Sequence, residues 1–243
     1  LMSYAAQFGA KINYVPLDDH LKHDLPAMEK AVNNQTSLVY ICNPNNPTGT
    51  LLDGDSFMDF GRRISQKAMV FIDEAYIDYI REPNYPTGVA LVKEGAQVIV
   101  AKTFSKVYGL AGMRIGYLVT TPNIATSLKS LTMGGMNIPA LFAAEAALED
   151  QAFYDKSLAL NQEGKEQIYQ TLDRLGLRYI QTHGNFVFFR SGIPIRELQS
   201  RAERLGVLVG RPFPPYNDWC RISTGTPAQT DKFCSVISTI LMG

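Results

Sequence analysis

The sequence predicts an α/β fold: a mostly parallel sheet sandwiched by helices, followed by a small α+β C-terminal domain. Three observations lead there. The apolar runs "SLVYIC", "AMVFID", "AQVIVAKT" and "RIGYLV" are nearly continuous and alternate with helical patterns, as the strands of a doubly covered sheet do. Polar clusters close three of these runs, at the strand ends where open α/β sheets collect ligands. From about Asn123 the pattern changes to long helical segments with shorter strands. We therefore read 1–151 as one domain and 152–243 as a second, smaller one.

The elements follow in order. "LMSYAAQFGA" opens inside an apparent helix, with Gly9 suited to its C-cap, so a preceding segment is expected. "KINYVPL" reads as a strand. "DLPAMEKAV" reads as a short helix, with Asp24 near its start and Pro26 in its first turn. The strand "SLVYIC" ends at the turn-rich "NPNNPTGT". "SFMDFGRRISQK" is an amphipathic helix. The strands "AMVFID", "AQVIVAKT" and "RIGYLV" come next. In the second part, "NIATSLKSLT", "ALFAAEAALED" and a long segment from about Tyr154 to Leu175 are helical. "NFVFF", "GVLVG" and "CRIST" are strand-like, and "IRELQSRAERLG" and "TDKFCSVISTIL" are helices.

Composition excludes several functions. Lys+Arg and Asp+Glu both number 23, so the formal charge is zero and nothing global attracts nucleic acid or an anionic membrane. No apolar run is long enough to span a bilayer, and no signal-peptide pattern is present. Cys42, Cys220 and Cys234 lie far apart, which predicts reduced thiols in a cytoplasmic protein, with neither a zinc site nor a disulfide frame. His20, His23 and His183 read as structural or solvated. No metal site is expected.

Three clusters carry chemistry. "NPNNPTGT" (43–50) alone is what any surface turn looks like, but it directly follows a buried strand. "VFIDEAY" ends a strand with Asp73 and Glu74. A magnesium-holding acid pair would need a phosphate loop GxxxxGK[ST], and the chain has none. A single aspartate there either holds a cationic ring nitrogen or is an ordinary capping acid. "TFSKVYGLAGMR" brings Lys106 after a buried strand and two hydroxyls, then glycines that permit close backbone approach. Thr103, Ser105 and Arg114 together suit a phosphate, with hydroxyl donors and a bidentate guanidinium. There is no GxSxG elbow and no GxGxxG loop.

In this order, "NPNNPTG" (43–49), "DEAY" (73–76), "TFSK" (103–106), "GLAGMRIGY" (109–117) and "CRISTGT" (220–226) resemble the fold-type I, pyridoxal-phosphate-dependent aminotransferases of class I/II. The similarity is greatest to the histidinol-phosphate aminotransferase branch and covers essentially the whole chain. The resemblance implies pyridoxal 5′-phosphate as cofactor and transamination between an amino donor and a 2-oxo acid. The donor would be histidinol phosphate or an amino acid, and the kinetics ping-pong. By motif position, Lys106 would form the Schiff base and shuttle the proton. Asp73 would pair with the pyridinium nitrogen. Asn46 and Tyr76 would hydrogen-bond the ring's phenolic oxygen. Thr103, Ser105 and Arg114 would hold the 5′-phosphate. Arg221 and Asn46 would bind substrate, and the Asn46–Pro47 bond would be cis. A lyase or decarboxylase relative, or a non-catalytic fragment that binds the cofactor, would carry the same residues. Relatives are homodimers, which implies a dimer here.

Two departures qualify the resemblance. Family members carry, before "YAAQFGA", a segment with a phosphate-binding turn, a ring-stacking aromatic and an N-terminal arm. Its absence implies a sheet without its first strand or strands, weak cofactor retention and little turnover for the chain as written. In the histidinol-phosphate branch an arginine directly after the late apolar run helps to bind substrate phosphate. Here Arg211 stands near that place, but after Gly210 and before a Pro-rich loop, "PFPPYNDW", which either lines a different pocket or is a rigid surface turn.

Overall fold

The computed structural model describes residues 1–132 and 134–242. The chain runs α1 (Met2–Gln7), α2 (Leu25–Ala31), β1 (Leu38–Cys42), α3 (Gly54–Ser65), β2 (Met69–Asp73), α4 (Val89–Lys93), β3 (Val98–Thr103), β4 (Gly116–Thr120), α5 (Pro122–Ser130), α6 (Ile138–Glu149) and α7 (Gln151–Arg174). It continues with β5 (Tyr179–Ile180), β6 (Phe186–Arg190), α8 (Ile195–Arg204), β7 (Trp219–Ser223) and α9 (Pro227–Met242). Strands β1–β4 form one sheet in the order 1-2-3-4. The β1–β2 and β2–β3 pairs are parallel, while β4 returns antiparallel to β3. Strands β5–β7 form a separate antiparallel sheet with β6 in the middle.

The two-residue period of a strand sorts its side chains. Val39 and Ile41 of β1, Val70 and Ile72 of β2, and Val98 and Val100 of β3 enter one apolar cluster with Phe57, Phe60 and Ile64 of α3. Each such side chain contributes about 1.5–3 kcal/mol by leaving water. The alternate positions, Tyr40 and Cys42, Phe71 and Asp73, are turned to the opposite face, so Asp73 emerges at the strand end on the side away from this cluster. Asp53 starts α3 by accepting from the Ser56 amide at 2.9 Å, a side-chain N-cap. In the second sheet, Val187 and Phe189 of β6 pack against Ile168 and Leu172 of α7, Leu198 of α8 and Phe233 and Ile237 of α9.

Two strand expectations fail, and both fail for want of a backbone partner. "KINYVPL" forms no strand; the only pairing is an isolated bridge from Leu17 to His23, and Tyr14 is exposed. "GVLVG" (206–210) is likewise irregular. Its Gly210 amide donates to the Arg221 carbonyl at 3.0 Å without extending into a ladder, and Leu208 points to solvent. Alternating apolarity describes a half-buried extended segment, and a strand also needs a neighbour to take its N–H and C=O groups. Helix α4, five residues long, is too short to show a helical period and was not expected. The long helix begins at Gln151, three residues before Tyr154, because Asp150 caps it by accepting from the Phe153 amide at 2.9 Å.

Candidate active site

The C-terminal ends of the three parallel strands converge on one place. The loop after β1 holds Asn46, the end of β2 supplies Asp73 and Tyr76, and the turn after β3 supplies Lys106. From the second sheet, β7 brings in Arg221. The Asn46–Pro47 bond is cis, as expected, and so is Asn43–Pro44. The turn is closed by Gly49 N donating to Asn45 O at 2.7 Å and Asn45 N donating to Thr50 O at 2.9 Å. Gly49 has φ +75°. A Cβ there would also lie 1.9 Å from Thr182 Oγ1, so only glycine fits.

Asp73 accepts from the Tyr40 hydroxyl at 2.8 Å and from the Ala75 amide at 3.1 Å. Its neighbour Glu74 has a different task. Almost fully buried, it pairs with Lys102 Nζ at 2.8 Å and accepts from Thr87 Oγ1 and the Gly88 amide, both at 2.6 Å. The second acid of "DEAY" is thus a structural anchor, tying the segment before α4 to β3.

Lys106 stands half-buried with its Nζ 5.0 Å from the centre of the Tyr76 ring. It makes no salt bridge among the described residues. Burial first, and then the Arg221 guanidinium, push its pKa below that of an ordinary lysine, against the pull of Asp73. Tyr76 is 4% exposed, and burial pushes its phenol up to about 12, so it remains a neutral donor at physiological pH. Asn46 reaches it by donating through Nδ2 to the Tyr76 hydroxyl at 3.5 Å.

Arg221 donates through Nη1 to Asn46 Oδ1 at 2.7 Å, and its guanidinium lies over the rings of Phe186 and Phe213 at 5.2 and 5.1 Å. Its buried Nε has no acceptor among the described residues. A desolvated guanidinium with an unused donor is a site for an anion. Arg211 sits over the same Phe213 ring at 4.3 Å, so two guanidinium groups flank one aromatic. The Pro-rich loop therefore folds back on the site.

The residues expected to hold a phosphate make only local contacts among the described residues. The Ser105 amide donates to Thr103 Oγ1 at 3.1 Å, which forms a tight turn just before Lys106. Arg114 takes the left-handed conformation (φ 54°), exposed, with Nη1 donating to Ala111 O at 2.9 Å, and its charge reaches Lys106. Asn46, Asp73, Tyr76, Lys106 and Arg221 are thus brought together, with Thr103, Ser105, Arg114 and Arg211 around them.

One residue near the site, Tyr40, had no sequence signal of its own. Tyr40 is visible only from register: β1 pairs Tyr40 with Phe71 and Cys42 with Asp73, so Tyr40 and Asp73 share a face. His23 sits with Nε2 3.1 Å from the Cys42 carbonyl, its pKa pushed down by burial, and is structural. The three cysteines are free and buried. Among the described residues no acid–histidine–cysteine group could hold a metal, and no helix is long and apolar enough to cross a membrane.

Comparison with known proteins gives a consistent picture. A histidinol-phosphate aminotransferase of Moorella thermoacetica is 39% identical over 243 residues, covering 98% of this chain. A histidinol-phosphate aminotransferase of Carboxydothermus hydrogenoformans is 38% identical over 235 residues, covering 93% of it. The chain spans 62% and 63% of the length of these two relatives. The crystal structure of histidinol-phosphate aminotransferase from Sinorhizobium meliloti, in complex with pyridoxal-5′-phosphate, superposes with a TM-score of 0.88 at 27% identity, covering 98% of this chain and 67% of that one. The sequence model of aminotransferase class I and II matches residues 3–237, and this chain belongs to that family.

Proposed function

We propose that this chain is the greater part of a pyridoxal-phosphate-dependent aminotransferase that moves an amino group from an anionic donor to a 2-oxo acid. The observation that carries the reading is Lys106: a partly buried amine without a carboxylate partner, its pKa depressed, facing Asp73 and Arg221. The residues fit the cofactor chemically. Lys106 offers the amine, Asp73 an anion for a ring nitrogen, Tyr76 and Asn46 donors for an oxygen, and Thr103, Ser105 and Arg114 donors for a phosphate. Bound pyridoxal phosphate supplies an electron sink for charge that develops at the substrate Cα.

The side chains perform the rest. Arg221 would hold the donor's carboxylate through a guanidinium that is already partly buried, which lowers the desolvation cost of binding. Lys106, its pKa lowered by burial and by Arg221, would take the proton from the substrate Cα and return it to the adjoining carbon. Tyr76, uncharged, keeps a donor beside Lys106 and is itself held by Asn46. Arg211, beside Phe213, would meet a second anionic group at the donor's far end, which favours donors such as histidinol phosphate. That donor is named in the relatives above and is the reading for this chain.

The 1–151 and 152–243 division belongs to the same proposal, with the site between the two parts, as does a homodimer. Helix α6 is apolar around its circumference yet leaves Ile138, Leu141, Phe142 and Leu148 exposed, a face suited to burial against another protein surface.

The test is spectroscopic. Pyridoxal phosphate is added to the chain and to Lys106→Ala, followed by borohydride. Covalent retention of the cofactor in the first alone, mapped to Lys106, supports the reading. Equal labelling of both, or of other lysines only, refutes it. A half-reaction screen with histidinol phosphate and aromatic amino acids then sorts the donors.

A further inference from the structure

We infer that Lys165, a buried lysine of α7 outside the reacting groups, is a positioning residue that locks the Asn45–Thr50 loop to the second sheet. Lys165 is 5% exposed and forms no salt bridge among the described residues. An ammonium in that position is costly and persists only where its donor is used. Lys165 Nζ donates to Thr182 O at 3.1 Å. One turn further along the same helix, the Tyr169 hydroxyl accepts from the Thr182 amide at 2.9 Å. One turn earlier, Asn161 Nδ2 donates to Gly184 O at 3.3 Å. Three residues on one helical face thus grip both backbone groups of Thr182 and the carbonyl of Gly184.

The gripped turn touches the site directly. The His183 amide donates to Gly49 O at 2.8 Å, and Thr182 packs where any side chain at position 49 would stand. Asn161 also accepts from Thr224 Oγ1 at 2.9 Å, three residues beyond Arg221. The loop that carries Asn46 therefore has two polar anchors on the second sheet's side: Arg221 to Asn46, and His183 to Gly49. A carboxylate that draws Arg221 away from Asn46 removes the first. The second, held by Lys165, then keeps Asn46 in place while the ligand is bound. The consequence for ligand affinity rests on the reading of Arg221 as an anion clamp; the clamp on the loop does not.

The experiment separates the two. Amide hydrogen exchange is measured on the chain and on Lys165→Met, with Lys165→Gln in reserve should the Met variant not fold. Exchange at the His183 amide rises about tenfold in the variant, while the core amides of Val70 and Ile72 keep their protection. With pyridoxal phosphate bound, the dissociation constant of succinate, read from the cofactor's absorbance, also rises about tenfold, while the extent of borohydride trapping stays at the parent level. Lys165→Arg, which retains a charged donor, recovers part of both effects. Unchanged exchange at His183 overturns the clamp. Faster exchange with unchanged succinate affinity overturns its link to the site. Absence of trapping in the parent chain sinks the cofactor reading instead, and the exchange measurement then decides the clamp by itself.

Discussion

Arg221 and Asn46, separated by 175 positions in the chain, meet through a 2.7 Å hydrogen bond from guanidinium to side-chain amide. This contact joins the loop after β1 to the middle of β7 and marks where a ligand anion would enter. Replacing Arg221 with Gln keeps a donor for Asn46 but removes the charge. Anion affinity falls by roughly 2–3 kcal/mol, the worth of a charge-assisted pair, or about 30- to 150-fold. Succinate titration of the cofactor-loaded chain measures it, and an unchanged dissociation constant would exclude Arg221 from binding.

The same cation acts on Lys106. Burial and Arg221 both lower the lysine's pKa, so the amine is already neutral at a pH where a free lysine is still ammonium. Removing the guanidinium takes away one of the two leading causes of the depression and leaves burial to oppose the pull of Asp73. In Arg221→Gln the pH profile for covalent addition of pyridoxal phosphate to Lys106 therefore shifts to higher pH. An unshifted profile would show that the Arg221 charge does not reach the amine.

Glu74 offers a stability test outside the chemistry. Its carboxylate is buried with Lys102, Thr87 and the Gly88 amide as partners. Truncation to Ala strands a partly buried ammonium and leaves two donors unmet. The expected cost is about 3–5 kcal/mol in urea unfolding. A loss below about 1 kcal/mol would indicate that water replaces the carboxylate.

Lys165 carries a pH signature. Burial, with Arg81 adding repulsion, lowers its pKa to about 8, against about 10.4 in an unfolded chain. Below pH 8 both states hold the proton, and the fold bears the full penalty of burying it. Between about 8 and about 10.4 the unfolded chain binds more protons, so this group's contribution makes the fold more stable as pH rises. Relative to Lys165→Met, the parent chain gains on the order of 1–3 kcal/mol across that window. Parallel stability curves for the two proteins would place the lysine's pKa back at its ordinary value.

Much of this protein was legible in its sequence because local chemistry is written locally. The runs "SLVYIC", "AMVFID" and "AQVIVAKT" became the three parallel strands, since unbroken apolar stretches bounded by turn residues have few other fates. Their polar ends marked the clusters at 43–49, 73–76 and 103–106, because strand ends in such a sheet open on one edge, and the resemblance to the aminotransferases singled out Asn46, Asp73, Tyr76 and Lys106 within them. "KINYVPL" and "GVLVG" had the strand pattern too, and failed because pairing needs a second segment that no local pattern specifies. Asp73 was the acid of "DEAY" expected at the site, but the burial of Glu74 against Lys102 had no local signal. Only the tertiary structure brought β7 across to Asn46, turned Tyr40 toward Asp73, and laid α7 against the Thr182–Gly184 turn so that Lys165 lost its water. Each of those depends on distance between residues far apart in the chain, and that distance is fixed by how two sheets pack, a property of the whole fold and of no single stretch.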